Sequence, residues 1–162
     1  AAYVTGSEAT IANLGDSRSY LIRDGVIERI AIDHDRATDA LRMGLSFSEA
    51  AQVKMGAALT RVVGRVIIGP DGKSRPDPFE PEIFRVQLMP GDRILLCSDG
   101  IPDFAAGPQA DQYTAELAML DVVLTYQDPA RAAFELVVLA NRGGGYDNIS
   151  CVVLAVHDAD AA

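Results

Sequence analysis

The chain has 162 residues, a length that fits one domain or part of one, and 49% of them are hydrophobic, too many for a disordered chain. Its 14 Lys and Arg against 23 Asp and Glu give a formal net charge of −9, which repels nucleic acid, and no basic patch with interleaved aromatics offsets it. No apolar run approaches the roughly 20 residues that span a bilayer, and no stretch joins a basic start to an apolar middle and a small-residue cleavage site. The expectation is a soluble, cytoplasmic protein that binds neither nucleic acid nor membrane.

Residues 2–14 alternate loosely around Gly6-Ser7-Glu8 and predict two strands joined by a short turn. Residues 17–23 predict a third strand. Asp24-Gly25 is a hairpin turn, and residues 26–32 return with Val26, Ile30 and Ile32 apolar. The first 32 residues therefore read as one β-meander. At Asp33 the character changes. Ala37, Ala40 and Leu41 lie at helical spacing, and Gly44 ends the helix. Ser46 with Glu49 is a capping box that opens a second short helix, running to about residue 55. A third short segment over 57–63 stops at Gly64, and together the three predict a small helical excursion over a sheet.

Residues 69–82 hold Pro70, Pro76, Pro78 and Pro81 and predict a loop. Residues 83–88 alternate as a strand, Pro90-Gly91-Asp92 turns, and residues 93–98 are a buried strand. Two helices follow. The first, over 110–127, has Leu117, Leu120, Val123 and Leu124 at helical spacing. The second starts with Asp128 as N-cap and Pro129 at the first helical position, and is capped by Gly143-Gly144-Gly145. Residues 149–156 predict a last strand, and 159–162 a tail. Strands, then helices, then a strand indicate an α+β fold.

Cys97 and Cys151 lie in apolar β-like runs with no histidine nearby. That gives no zinc site and points to two buried free thiols in a reducing compartment; a disulfide between adjacent strands stays open. Three acidic residues stand where a strand meets a turn: Asp16 in NLGDSRSYL, Asp99 in LLCSDGIPD and Asp147 in GGGYDNISCVVL. Asp beside Gly or Asn is ordinary turn chemistry when taken singly. Taken jointly, carboxylates at strand ends suit Mg²⁺ or Mn²⁺, which want hard oxygen donors and water. His34, in Asp-His-Asp, reads as a structural residue at a helix start, with acid or ligand as the alternative; Arg61 reads as a helix-surface residue that could touch an anion.

The stretches NLGDSRSYLIRDG, ALTRVVG, MPGDRILLCSDGIPD and RGGGYDNISCVVL, in that order, resemble the motifs of the PPM, or type 2C, metal-dependent protein serine/threonine phosphatases over nearly the whole chain. The resemblance implies a β-sandwich with helices on both outer faces, over residues 1–158, with a variable flap at about 35–58 beside the site. It implies hydrolysis of phosphoserine and phosphothreonine in phosphorylated proteins, in bacterial signalling, by water activated at two or three Mg²⁺ or Mn²⁺ ions. Residue by residue, it makes Asp99 and Asp147 catalytic ligands of the binuclear centre and gives Asp16 to a third metal.

The family's N-terminal part carries a phosphate-binding arginine, a glutamate ligand and an Asp-Gly motif that have no counterpart among these stretches. Asp71-Gly72 sits in the proline-rich loop and reads as a plain turn. The resemblance therefore implies the C-terminal part of a catalytic domain: an incomplete sandwich with an open sheet edge, associating with the missing N-terminal segment or a second copy. It further implies metal binding in the roughly millimolar range for the chain alone, by ligand count. The alternative to an enzyme is a catalytically inactive, truncated phosphatase-like binding module.

Overall fold

The computed structural model describes residues 1–53 and 57–158; the end of the second predicted helix, part of the flap and the 159–162 tail lie outside the described residues. β1 (Ala2–Thr5) and β2 (Glu8–Asn13) form an antiparallel hairpin, and β2 pairs on its other side with β7 (Glu82–Gln87). β3 (Arg18–Arg23) and β4 (Val26–Arg29) are joined through Asp24 and Gly25, at φ 51° and 74°, the two positive angles of a type I′ turn. β3 pairs with β8 (Arg93–Cys97), and β8 with β9 (Cys151–Ala155).

The result is two antiparallel sheets, ordered β1-β2-β7 and β4-β3-β8-β9. The single meander expected over the first 32 residues does not form, because the chain changes sheets between Asn13 and Arg18. The burial patterns give the reason. β2 buries alternate residues, so it covers one face of a core. β3 buries four consecutive residues, Ser19 to Ile22, so it must lie in a layer covered on both faces.

Those two faces are distinct cores. Leu21 and Ile94 meet Ala9, Ile11 and Leu88 between the sheets. Tyr20, Ile22, Leu95 and Cys97 point the other way, onto α3 (Gln112–Thr125) and α4 (Pro129–Arg142), against Met119, Val123, Leu136 and Ala140. The α+β sandwich stands, with α3 and α4 on the outer face of the four-stranded sheet. The outer face of the other sheet exposes Tyr3 and Ile83, and neither long helix reaches it, whereas helices on both faces were expected.

The flap begins with α1 (Arg36–Arg42), capped by the Asp35 carboxylate, which accepts the Thr38 N–H at 2.6 Å. α2 (Phe47–Ala50) carries the predicted reciprocal capping box between Ser46 and Glu49. Residues 57–63 are not helical. Leu59 bridges to Asp35 and the Thr60 N–H donates to the His34 carbonyl, so the exit from the flap is bonded to its entry at this point. The proline-rich loop holds a hairpin, β5 (Val66–Ile68) and β6 (Ser74–Pro76), with Asp71-Gly72 in its turn as expected. Pro76 is tolerated at the end of an unpaired edge.

Candidate metal centre

β8 delivers the chain to Ser98 and Asp99 from inside the fold. The Ser98 N–H donates to the Ser150 carbonyl at 3.0 Å. Its hydroxyl donates to the Asn148 carbonyl at 2.9 Å and accepts the Ser150 N–H at 3.1 Å. These bonds zip the loop after β8 to the loop before β9, and Asp99 and Asp147 ride on those two loops. A Cβ on Gly100 would lie 2.4 Å from the Asn148 carbonyl oxygen, so the loops meet where only glycine fits. The Gly100 N–H donates to Asp99 Oδ1 at 2.9 Å, and the Asn148 N–H to Asp147 Oδ1 at 2.6 Å, which orients both carboxylates.

Asp16 arrives from the crossing between the sheets. Gly15, at φ 106°, turns the chain there. Its N–H donates to Nδ1 of the fully buried His34 at 3.1 Å, and its carbonyl accepts the His34 N–H at 3.0 Å.

Burial first, then the charges of Asp16, Asp147 and Asp103, push the Asp99 carboxyl above the ordinary carboxylate range. Asp103 is raised too, by burial and by Asp33, Asp147 and Asp16, with Arg18 acting against the shift. Four carboxylates from three loops thus bear on one another. Among the described residues no three His, Cys, Asp or Glu side chains close on a common point. The donors fit Mg²⁺ or Mn²⁺ in kind, since Mg²⁺ typically binds one or two carboxylates and keeps several waters.

Asp103 was not among the sequence candidates, though it lies within the SDGIPD stretch and its N–H donates to the Asp99 carbonyl at 2.9 Å. Arg18 was missed as well. It pairs with Asp33 at 3.0 Å and reaches Asp103 at 3.4 Å, contacts between distant positions that leave no local pattern. His34 is fully buried, and its Nδ1 accepts the Gly15 N–H. Arg61 is not on a helix: its guanidinium lies 5.2 Å over the Phe79 ring and 3.4 Å from Glu82. Cys97 and Cys151 face each other across β8 and β9 as free thiols, and burial pushes Cys97 up to about 12, so it stays protonated.

Beside the carboxylates, a cleft of about 270 Å³ runs between the sheet ends, lined by Asn13, Arg18, Ser98 and Ser150 among others. Two buried groups on it, Asn13 Nδ2 and Ser19 Oγ, have no hydrogen-bond partner among the described residues.

The family model for protein phosphatase 2C matches residues 1–149. With its sandwich and its acidic strand ends, the chain belongs to the protein phosphatase 2C family. It is 32% identical over 155 residues to the serine/threonine protein phosphatase PstP of Mycobacterium tuberculosis, a match covering 96% of this chain and 26% of that protein. It is 30% identical over 154 residues to the serine/threonine phosphatase Stp of Listeria innocua, covering 95% of this chain and 54% of that one. The crystal structure of M. tuberculosis PstP/Ppp superposes with a TM-score of 0.72 at 28% identity, over 97% of this chain and 58% of that chain. The PstP catalytic domain in complex with two manganese ions superposes at 0.67 and 30%, over 97% and 57%. The chain thus spans from about a quarter to just over half the length of the proteins it matches.

Proposed function

We propose that this chain is the part of a metal-dependent protein serine/threonine phosphatase that supplies Asp16, Asp99 and Asp147 to a centre of two or three Mg²⁺ or Mn²⁺ ions. The whole protein hydrolyses phosphoserine and phosphothreonine in phosphorylated proteins. The observation that carries this reading is the joining of the loop after β8 to the loop before β9 by the Ser98 bonds, which sets Asp99 and Asp147 on neighbouring loops; burial, and then the charges of Asp16, Asp147 and Asp103, raise the Asp99 carboxyl. Like charges are costly to hold together, and a fold that gathers them at strand ends is built for a cation. The names of PstP and Stp support the substrate class, and the two manganese ions of the PstP complex support the metal.

When bound, such ions lower the pKa of a coordinated water and offset charge on the phosphoryl group. The residues of this chain do the positioning. β8 and the Ser98 zip hold Asp99 beside Asp147, the two catalytic carboxylates. The Gly15 turn brings Asp16 in for a third ion. Arg18 ties Asp103 to Asp33 and offsets part of the negative charge.

The reading takes residues 1–158 as one body with the flap at about 35–58, completed by further chain. The free outer edge of β9 and the cleft with Asn13 and Ser19 support docking of the remaining catalytic segment, with a second copy as the alternative that size-exclusion of the intact protein would reveal. Two free thiols on paired strands support a reducing, cytoplasmic setting. No helix among the described residues is long and apolar enough to cross a membrane.

The test is phosphate release from a phosphothreonine peptide by the intact protein, with Mn²⁺ and with chelator. Release that needs metal and disappears in Asp99→Asn supports the reading. Release that survives chelation, or survives the substitution, sinks it.

A further inference from the structure

α3 is apolar on more sides than its core contact uses. Ala115, Met119 and Val123 are buried against the four-stranded sheet. On another side Tyr113, Leu117 and Leu124 stand exposed, Tyr113 at 69%, with Leu120 half-buried between them. Spacings of four, three and four residues put these side chains in one narrow stripe along the helix, the pattern of a seam that receives a second helix. The positions that flank such a seam hold Glu116 on one side and Asp121 on the other. α4 presents no matching stripe: its exposed Phe134 carries the Arg131 guanidinium at 5.2 Å.

Beside the stripe, a hollow of about 250 Å³ lies between α3 and the β3–β4 turn, lined by Val26, Ile27, Tyr113, Glu116, Leu117 and Leu120. β4 is an edge strand, and Val26 is 62% exposed at the rim of the hollow. Stripe and hollow together form a contiguous apolar surface of the kind that marks an interaction site. The charge around it has one sign. No Lys, Arg or His occurs from Ile94 to Ala130, while Asp111, Glu116 and Asp121 lie at the head and flanks of the stripe. Arg23 and Arg29, from β3 and β4, are already paired, with Asp92 and Asp33.

We propose that the α3 stripe is the seat of a basic amphipathic helix from a partner protein. The apolar residues of that helix lie along Tyr113, Leu117, Leu120 and Leu124, one of them entering the hollow beside Val26, and its Lys or Arg side chains meet Glu116 and Asp121. The seat is about 16 Å long, three turns of helix. A second copy of this chain is a poor occupant, because pairing α3 with itself sets acidic flank against acidic flank with no basic residue to answer. An anionic lipid surface is repelled for the same reason. Neither the stripe nor its flanks includes a carboxylate of the acidic centre, so docking here does not depend on bound metal.

The probe is a fluorescein-labelled peptide of about three heptads, with Leu at its seam and Lys on both flanks, beside a twin carrying Glu on the flanks. Each is titrated with the intact protein and read by anisotropy. The Lys peptide is expected to bind at least tenfold more tightly than its twin, with a preference that shrinks at high salt. Leu117→Glu and Tyr113→Ala should each weaken it about tenfold, as loss of a central interface anchor does, with melting temperature and phosphate release unchanged. Attachment by charge alone would instead be strengthened by the Glu added at position 117. Glu116→Lys should narrow the preference between the twins. Wild type that does not bind the Lys peptide, twins that bind equally, or undiminished binding by Leu117→Glu overturns the proposal. So does a wild-type dimer on size-exclusion that Leu117→Glu dissolves, which gives the stripe to a second copy. Sedimentation of wild type, but not Leu117→Glu, with phosphatidylcholine vesicles gives it to lipid and overturns the proposal as well.

Discussion

Gly100→Ala tests the loop contact on which the site depends. The added Cβ would meet the Asn148 carbonyl oxygen at 2.4 Å and the carbonyl carbon at 3.2 Å. A relaxed carbon–oxygen contact needs about 3.3 Å, so the loops must part by about 0.9 Å. Both obstructing atoms are backbone, and the Ser98 bonds hold that backbone in place. Overpacking of this kind costs about 1–3 kcal/mol. For a domain of this size each kcal/mol lowers the melting temperature by about 2–4 °C. The functional cost is larger than the structural one, since a misplacement near 1 Å loses about 100-fold in turnover. The assay pairs a thermal melt with phosphate release by the intact protein in Mn²⁺. The expected variant is folded, a few degrees less stable and about 100-fold slower. A variant with wild-type melting and wild-type turnover would show that the loops are not in contact, and the account of how Asp99 and Asp147 are brought together would fall.

Ser98→Ala removes the donor to Asn148 and the acceptor for Ser150, and is expected to cost about 1–2 kcal/mol, with faster exchange of the Ser150 amide; unchanged exchange there contradicts the zip. Asp99 and Asp103 are both raised on folding, so their contribution favours the fold below about pH 4 and is lost as pH rises through their folded values. Chelator-treated Asp99→Asn should therefore melt above wild type at pH 7, the gap closing toward pH 4, while turnover is lost; a gap that widens on acidification refutes the charge cluster. Leu136→Ala opens the fully buried contact between α4 and the sheet and should cost about 2–5 kcal/mol in denaturant titration. Its turnover per folded molecule should stay at the wild-type value, and a specific loss would mean that α4 reaches the chemistry.

What was legible in the sequence is what local chemistry decides. Asp24-Gly25 must turn, Ser46 and Glu49 must cap one another, and Asp128 with Pro129 must start a helix; each appears where it was read. Asp16, Asp99 and Asp147 were visible because each stands where a strand meets a turn, beside Gly or Asn. The change of sheet after Asn13 was hidden because strand spacing does not say which sheet a strand joins, although the unbroken apolar core of β3 carried the clue. The β5–β6 hairpin was masked by its prolines, and the irregular course of 57–63 by helical spacing that tertiary bonds to His34 and Asp35 override. Arg18, Asp33 and Asp103 could not be grouped at all, since positions 15 and 85 residues apart meet only after folding.

Gly143 ends α4 against the carbonyl of Phe104, where a Cβ would sit 1.8 Å from the oxygen. Together with Gly100, it leaves the turn after Asp99 held between a helix end and a strand entry, at two points where a Cβ would strike backbone. Length variation is therefore expected to be excluded from this part of the chain and to gather in the β5–β6 hairpin, whose strands are exposed throughout. For an engineer, Asp71-Gly72 is the place to graft a tag or reporter. The acidic centre, by contrast, can change only in coordinated steps, because a side chain admitted at Gly100 or Gly143 demands a second substitution that moves the backbone opposite.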